Sequence, residues 1–227
     1  MNGHPVSRRS LFALGTATTV GMLAGPAVAL AAPDPPDPAA AWRALAVGNI
    51  RFTAGCPDHP HQDSGWRETL LAEQHPIACV LSCADSRVGP ELVFDQGLGD
   101  LFTVRTAGAV IDDAVAGSVE YAVLHLRVPL VVVLGHSGCG AVRAAIDLVR
   151  GATITGAVGT LARAVEAAVR ATPAVPDDAA FHQACVLTHT RRVAAELPAR
   201  CPAIAAREVP VVAAGYDLAT GVARRLD

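Results

Sequence analysis

The stretch Ile77-Ala78-Cys79-Val80-Leu81-Ser82-Cys83-Ala84-Asp85-Ser86-Arg87 decides the fold. Ile77 to Leu81 is continuously apolar, as a strand covered on both faces of a parallel sheet is. It runs out at Cys83. About fifty residues on, Leu130-Val131-Val132-Val133-Leu134 reads as a second buried strand and ends in Gly135-His136-Ser137-Gly138-Cys139-Gly140. Sites in open α/β sheets form beyond the carboxyl ends of strands. Cys83, His136 and Cys139 would bring two thiolates and one imidazole to such a place. That set suits catalytic zinc with a fourth position left open. A cysteine nucleophile with His136 as base is the rival reading, since a Gly138-Cys139-Gly140 turn opening a helix can lower a thiol pKa.

Two thiolates balance the charge of Zn²⁺ and weaken it as a Lewis acid, so water bound there needs help to ionise. Asp85 stands two residues after Cys83 and can orient that water, or ligate the metal itself and close the site. Arg87 stands two residues further on. In an extended segment the two side chains share a face, and a bidentate pair would hold Asp85 ionised and off the metal.

Outward from this centre, strands alternate with helices. Ala39–Phe52, Val115–Leu126, Ala141–Val149, Ala157–Ala171 and Ala179–Leu197 read as helices, with a short one at Glu91–Phe94. Leu101–Val104 and Val209–Ala213 read as further strands. The pattern predicts an α/β fold with a mainly parallel sheet flanked by helices. Asp37 and Pro38 read as the cap and first turn of the first helix. His59 and His61 read as loop histidines, because nothing near them completes a ligand cluster. His125 reads as structural. Cys56, Cys79, Cys185 and Cys201 read as small buried or surface thiols.

The chain has 227 residues, 52% hydrophobic, with a formal net charge of −3. That charge gives no sign of nucleic-acid binding. All 18 basic residues are arginines, which excludes a Schiff-base lysine. Residues 1–31 have the form of a twin-arginine signal peptide: Arg8-Arg9, then the uncharged run Leu11–Leu30 with Ala-x-Ala sites at its end. Residues 32–38 form a Pro-rich linker and residues 39–227 the catalytic domain. The expectation is export to the periplasm or outside the cell, with no membrane association after cleavage. An uncleaved leader would leave the chain membrane-anchored.

Cys83-Ala84-Asp85-Ser86-Arg87 and His136-Ser137-Gly138-Cys139-Gly140 resemble the signatures of the β-class carbonic anhydrases. So do Gly48-Asn49-Ile50-Arg51-Phe52, Asp95-Gln96-Gly97-Leu98-Gly99-Asp100-Leu101-Phe102 and Tyr216-Asp217-Leu218-Ala219-Thr220-Gly221. The resemblance spans residues 40 to 225 and implies reversible hydration of CO2 to bicarbonate and a proton. It implies one zinc on Cys83, His136 and Cys139, with hydroxide on that zinc oriented by Asp85 and Arg87. It implies a mainly parallel four-stranded sheet, and a homodimer or homotetramer in which the N-terminal helix wraps the partner. The chain departs from the family pattern at Ala109, where many members have Asn, and at Arg127, where many have Gly. Val80 stands where some members carry a Trp of a regulatory bicarbonate pocket, so that pocket is expected to be absent or altered, although Arg105 matches. Hydrolysis of COS or CS2 on the same zinc, or a non-catalytic zinc-binding module, are the alternative functions.

Overall fold

The computed structural model describes residues 37–226. The expected signal peptide (residues 1–31) and nearly all of the expected linker lie outside the described residues. Five strands form one sheet in the order β2-β1-β3-β4-β5. They are β1 (Ala78–Cys83), β2 (Leu101–Thr106), β3 (Val131–His136), β4 (Val211–Tyr216) and β5 (Ala223–Arg225). The first four are mutually parallel, as expected, and β5 runs antiparallel to β4. β5 was not legible in advance, because three residues give no periodicity to read.

The helices are α1 (Pro38–Thr53), α2 (Ser64–Thr69), α3 (Pro90–Val93), α4 (Asp113–Leu124), α5 (Gly140–Val149), α6 (Gly156–Ala171), α7 (Asp178–Arg200) and α8 (Pro202–Ala206). Asp37 caps α1 by accepting from the Ala40 N–H at 2.8 Å, with Pro38 at the first helical position. The short α2 and α8 were missed, being too brief to show a helical period. The last strand begins at Val211 rather than Val209, and β1 and β3 each run on two residues further than their apolar runs. Cys83 and His136 are therefore the last residues of their strands.

Every residue of β1 is buried. On one face, Cys79, Leu81, Val131 and Val133 pack against α4, α7 and α8 through Val119, Val193, Leu197 and Ile204. On the other, Val80, Val132 and Leu134 meet Leu45 of α1 and Phe94 after α3. A third cluster joins α5, α6 and α7 around Cys83 and Cys139. Burying one such aliphatic side chain stabilises a fold by about 1.5–3 kcal/mol. Asn49 ties α1 to the far end of the chain: its amide donates to the Val93 and Gly221 carbonyls, and its oxygen accepts from the Ala223 N–H. The inner face of α1 thus packs on its own chain, while Val47 and Ile50 remain exposed.

Chain order explains where the site lies. From β1 the chain moves to the outer strand β2, then crosses to β3 on the other side of β1. The crevice between the carboxyl ends of β1 and β3 is a topological switch point. A Cβ on Gly135 would lie 1.9 Å from Thr190 Oγ1 of α7, so only glycine fits.

The two departures from the family pattern, Ala109 and Arg127, both have left-handed backbone, with φ of 53° and 55°. Asn and Gly adopt that region readily and other L-residues pay for it sterically. Arg127 is exposed and makes room for a replacement without loss of packing. Arg127→Gly is expected to raise stability by about 0.5–1 kcal/mol, read by urea unfolding, despite the extra chain entropy of glycine. A loss of stability in that variant would contradict this account of the turn.

Candidate metal centre and active site

Cys83 at the end of β1, His136 at the end of β3 and Cys139 at the mouth of α5 converge. Their ligand atoms lie within 4.8 Å of one another, and all three residues are buried. Two adjacent parallel strands supply two ligands because their ends are neighbours. Gly138, at φ 68°, turns the backbone so that Cys139 comes back toward them.

His136 is held in one tautomer. Its Nδ1 lies 2.9 Å from the Ser137 carbonyl, which can only accept, so Nδ1 carries the proton. Nε2 is then a bare lone pair. It is buried and has no hydrogen-bond partner. An unpartnered buried nitrogen of this kind costs about 1–3 kcal/mol, and a metal ligated there would satisfy it. The Ser137 N–H donates to the Tyr216 carbonyl and its hydroxyl accepts from the Leu218 N–H, which anchors the loop.

The Cys83 sulfur accepts N–H bonds from Gly108 at 3.3 Å and Asp85 at 3.4 Å. A bond from the Cys139 thiol is the larger influence, and together they hold the Cys83 thiol down at about 4 against the opposing effect of burial. The same contact pushes Cys139 up, since a second buried thiolate beside the first would be repelled and desolvated. One proton shared between two thiols is the best that the protein achieves alone. A dication lets both ionise. Thiolate, thiolate and imidazole at this spacing fit zinc, with a fourth position open.

Asp85 lies beside the cluster, with Oδ2 4.0 Å from His136 Nε2. Arg87 grips it by two bonds, Nε to Oδ1 at 2.9 Å and an Nη to Oδ2 at 2.7 Å. Residues 85 to 88 form a turn, closed by the Val88 N–H on the Asp85 carbonyl at 3.0 Å. The Arg87 N–H also bonds Asp85 Oδ1 at 3.0 Å, so an Asx-type turn rather than a strand brings the pair together. The Arg87 guanidinium holds the Asp85 carboxyl far below the usual carboxylate range. Arg87 also reaches the Gly138 carbonyl, linking the two ligand loops.

Three residues around the site escaped the sequence reading in this role. Arg105 of β2 donates to the Cys83 carbonyl at 3.0 Å and the Asp85 carbonyl at 2.7 Å, bracing the loop from the edge strand. His182 and His189, seven residues apart on α7, each reach a site backbone carbonyl: Cys139 at 2.9 Å and Gly108 at 2.7 Å. Their seven-residue spacing puts them on one helix face, but nothing in it names the carbonyls they meet.

The remaining candidates stay outside the centre. His61 bonds Asp100 at 2.8 Å and stacks on Trp66, in a loop away from the ligands, as expected. His125 ends α4 and stacks on Tyr121. Cys56 is exposed and Cys79, Cys185 and Cys201 are buried free thiols, with Cys79 pushed up to about 12 by burial. Val80 is fully buried in the sheet.

The sequence profile of the carbonic anhydrase family matches residues 78–223, which carries all three ligands and the Asp85–Arg87 pair. The chain belongs to the carbonic anhydrase family. Carbonic anhydrase 2 of Mycobacterium tuberculosis is 58% identical over 120 residues, or 53% of this chain and 58% of that one. The carbonic anhydrase of Mycolicibacterium smegmatis is 60% identical over 111 residues, covering 49% and 54%. The chain thus spans a little over half the length of these relatives. Among solved structures, the β-carbonic anhydrase CafA of the fungal pathogen Aspergillus fumigatus aligns with a TM-score of 0.59 and 27% identity, over 82% of this chain and 90% of that one. The α/β fold described above is that of the β-class enzymes.

Zinc-free protein is expected to keep one thiolate at the site at neutral pH. Its ultraviolet thiolate absorbance should fall as pH drops through about 4. Cys83→Ser should remove that component, and a signal unchanged by the substitution would contradict the assignment.

Proposed function

We propose that this chain is a zinc-dependent carbonic anhydrase, catalysing reversible hydration of CO2 to bicarbonate and a proton. The observation that carries this is the Asp85–Arg87 pair standing beside an incomplete ligand set. A purely structural zinc site closes with a fourth protein ligand and has no use for an ionised, clamped carboxylate next to it. Cys83, His136 and Cys139 would hold the metal. Zinc in such a site supplies a nucleophile at neutral pH by making water a stronger acid.

The chain's own residues do the rest. Asp85 stays ionised, because Arg87 stabilises its charged form, so it acts as a hydrogen-bond acceptor and never as a donor there. It can orient a water by accepting one of its protons. Arg87 is a positioning residue: its two bonds occupy both carboxylate oxygens from one side and keep Asp85 from becoming the fourth ligand. The cavity behind the ligands measures about 10 Å³ and is lined by Val133, Val142 and Val186 among others. That is room for one water at most, too little for CO2. Substrate therefore approaches from the side of the partly exposed Asp85 and Arg87.

The same reading includes residues 39–227 as one catalytic domain, delivered outside the cytoplasm by the twin-arginine leader at residues 1–31. It also includes self-association into a homodimer or homotetramer. Exposed Val47 and Ile50 on the outer face of α1 support that part, being apolar side chains that a partner would cover.

Stopped-flow CO2 hydration tests the proposal, with zinc measured on the same sample. One zinc per chain with fast hydration is expected. Cys139→Ser should lose both. Arg87→Ala should keep the metal and lose roughly 10–100-fold in rate, the usual cost of an outer partner at a metal site. Full zinc occupancy with no hydration in the unaltered protein would overturn the assignment.

A further inference from the structure

The Gly108 N–H bonds the Cys83 sulfur, so whatever holds Gly108 also holds a ligand. The turn that carries it, Ala107–Ala109, is poorly suited to hold itself. Gly108 and Ala109 are both left-handed, with φ of 73° and 53°. Such backbone at an alanine costs of order 1–2 kcal/mol and persists only where its surroundings fix it. The family's usual Asn, which tolerates this region, is missing here.

The tie comes from α7. His189 is 8% exposed. Its Nε2 lies 2.7 Å from the Gly108 carbonyl, across 81 residues of sequence. A carbonyl only accepts, so Nε2 is the protonated nitrogen and donates. On the other side the turn rests on the first residues of α5: a Cβ at Gly108 would come within 2.8 Å of the Ala141 Cβ, two residues after Cys139. The turn is thus wedged between both cysteine ligands, with His189 as its fixing point. The adjoining cavity, of about 10 Å³, is lined mostly by apolar side chains. It has room for one water at most.

We propose that His189 is a positioning residue for the metal centre: by anchoring the Gly108 carbonyl it keeps the Gly108 N–H on the Cys83 sulfur, and so sets how tightly the site holds zinc. This rests on the zinc reading above. His182 provides the matching tie two turns earlier on the same helix, on the Cys139 carbonyl. Helix α7 therefore fixes the backbone beside both thiolates without contributing a ligand.

Three variants at one position separate the hydrogen bond from mere packing. Glutamine carries its Nε2 the same number of bonds from Cα as histidine does, asparagine falls one bond short, and leucine has no donor. Zinc affinity would be measured by chelator competition on folded, zinc-free protein, with urea unfolding of the same samples to read stability separately. Cobalt substitution would report the thiolate-to-metal absorption. His189→Leu and His189→Asn are expected to weaken zinc binding about 10–100-fold and to shift the cobalt band, with His189→Gln restoring both toward the unaltered protein. Asparagine keeps the site polar, so the comparison with glutamine stands even if leucine prevents folding. The proposal is overturned if all folded variants bind zinc like the unaltered protein, or if glutamine is as weak as asparagine. Failure of the unaltered protein to bind zinc would instead remove the zinc reading itself, and this inference with it.

Discussion

Two buried thiols in contact cannot both lose their protons unless a cation compensates them. That electrostatic constraint governs the centre of this molecule. Cys83 ionises at the expense of Cys139, and His136 presents a nitrogen that nothing in the protein satisfies. Each feature alone would be a defect in a core. Together they describe a site that fits a divalent metal, and the fold makes this possible by ending β1 and β3 side by side.

The chain stabilises this arrangement largely through its backbone. Arg105 and His182 donate to main-chain carbonyls of the segments that carry ligands or Asp85, and His189 donates to the carbonyl of Gly108, whose N–H bonds the Cys83 sulfur. Side chains on distant elements thereby determine where the ligand loops run, while the ligands themselves stay free to face the metal. Arg87 works differently: it holds a side chain, and it sets both the charge and the direction of Asp85. A water-orienting carboxylate must be ionised and aimed, and one bidentate contact achieves both.

Much of this was legible in the sequence. Continuous apolar runs gave β1 and β3 because a parallel strand is buried on both faces, and the residues at their ends gave the ligand set. Helices long enough to show a period were found to within a few residues. The spacing of Asp85 and Arg87 marks them as a pair but not their backbone, since alternate positions in a strand and an Asx turn place the same two side chains together. The departures at Ala109 and Arg127 were visible as letters, but only φ angles of 53° and 55° explain why Asn and Gly belong there.

The sequence by itself determined the strand-end ligands, the alternation of strands and helices, and the acid–arginine pair, because each depends on residues close together in the chain. Only the tertiary structure decided which distant side chains support them. His189 meets Gly108 across 81 residues, and Arg105 meets Cys83 across 22. No local pattern encodes such contacts. They arise when parallel pairing and helix packing bring separate segments to one end of the sheet, and the need to satisfy buried carbonyls then selects the partners.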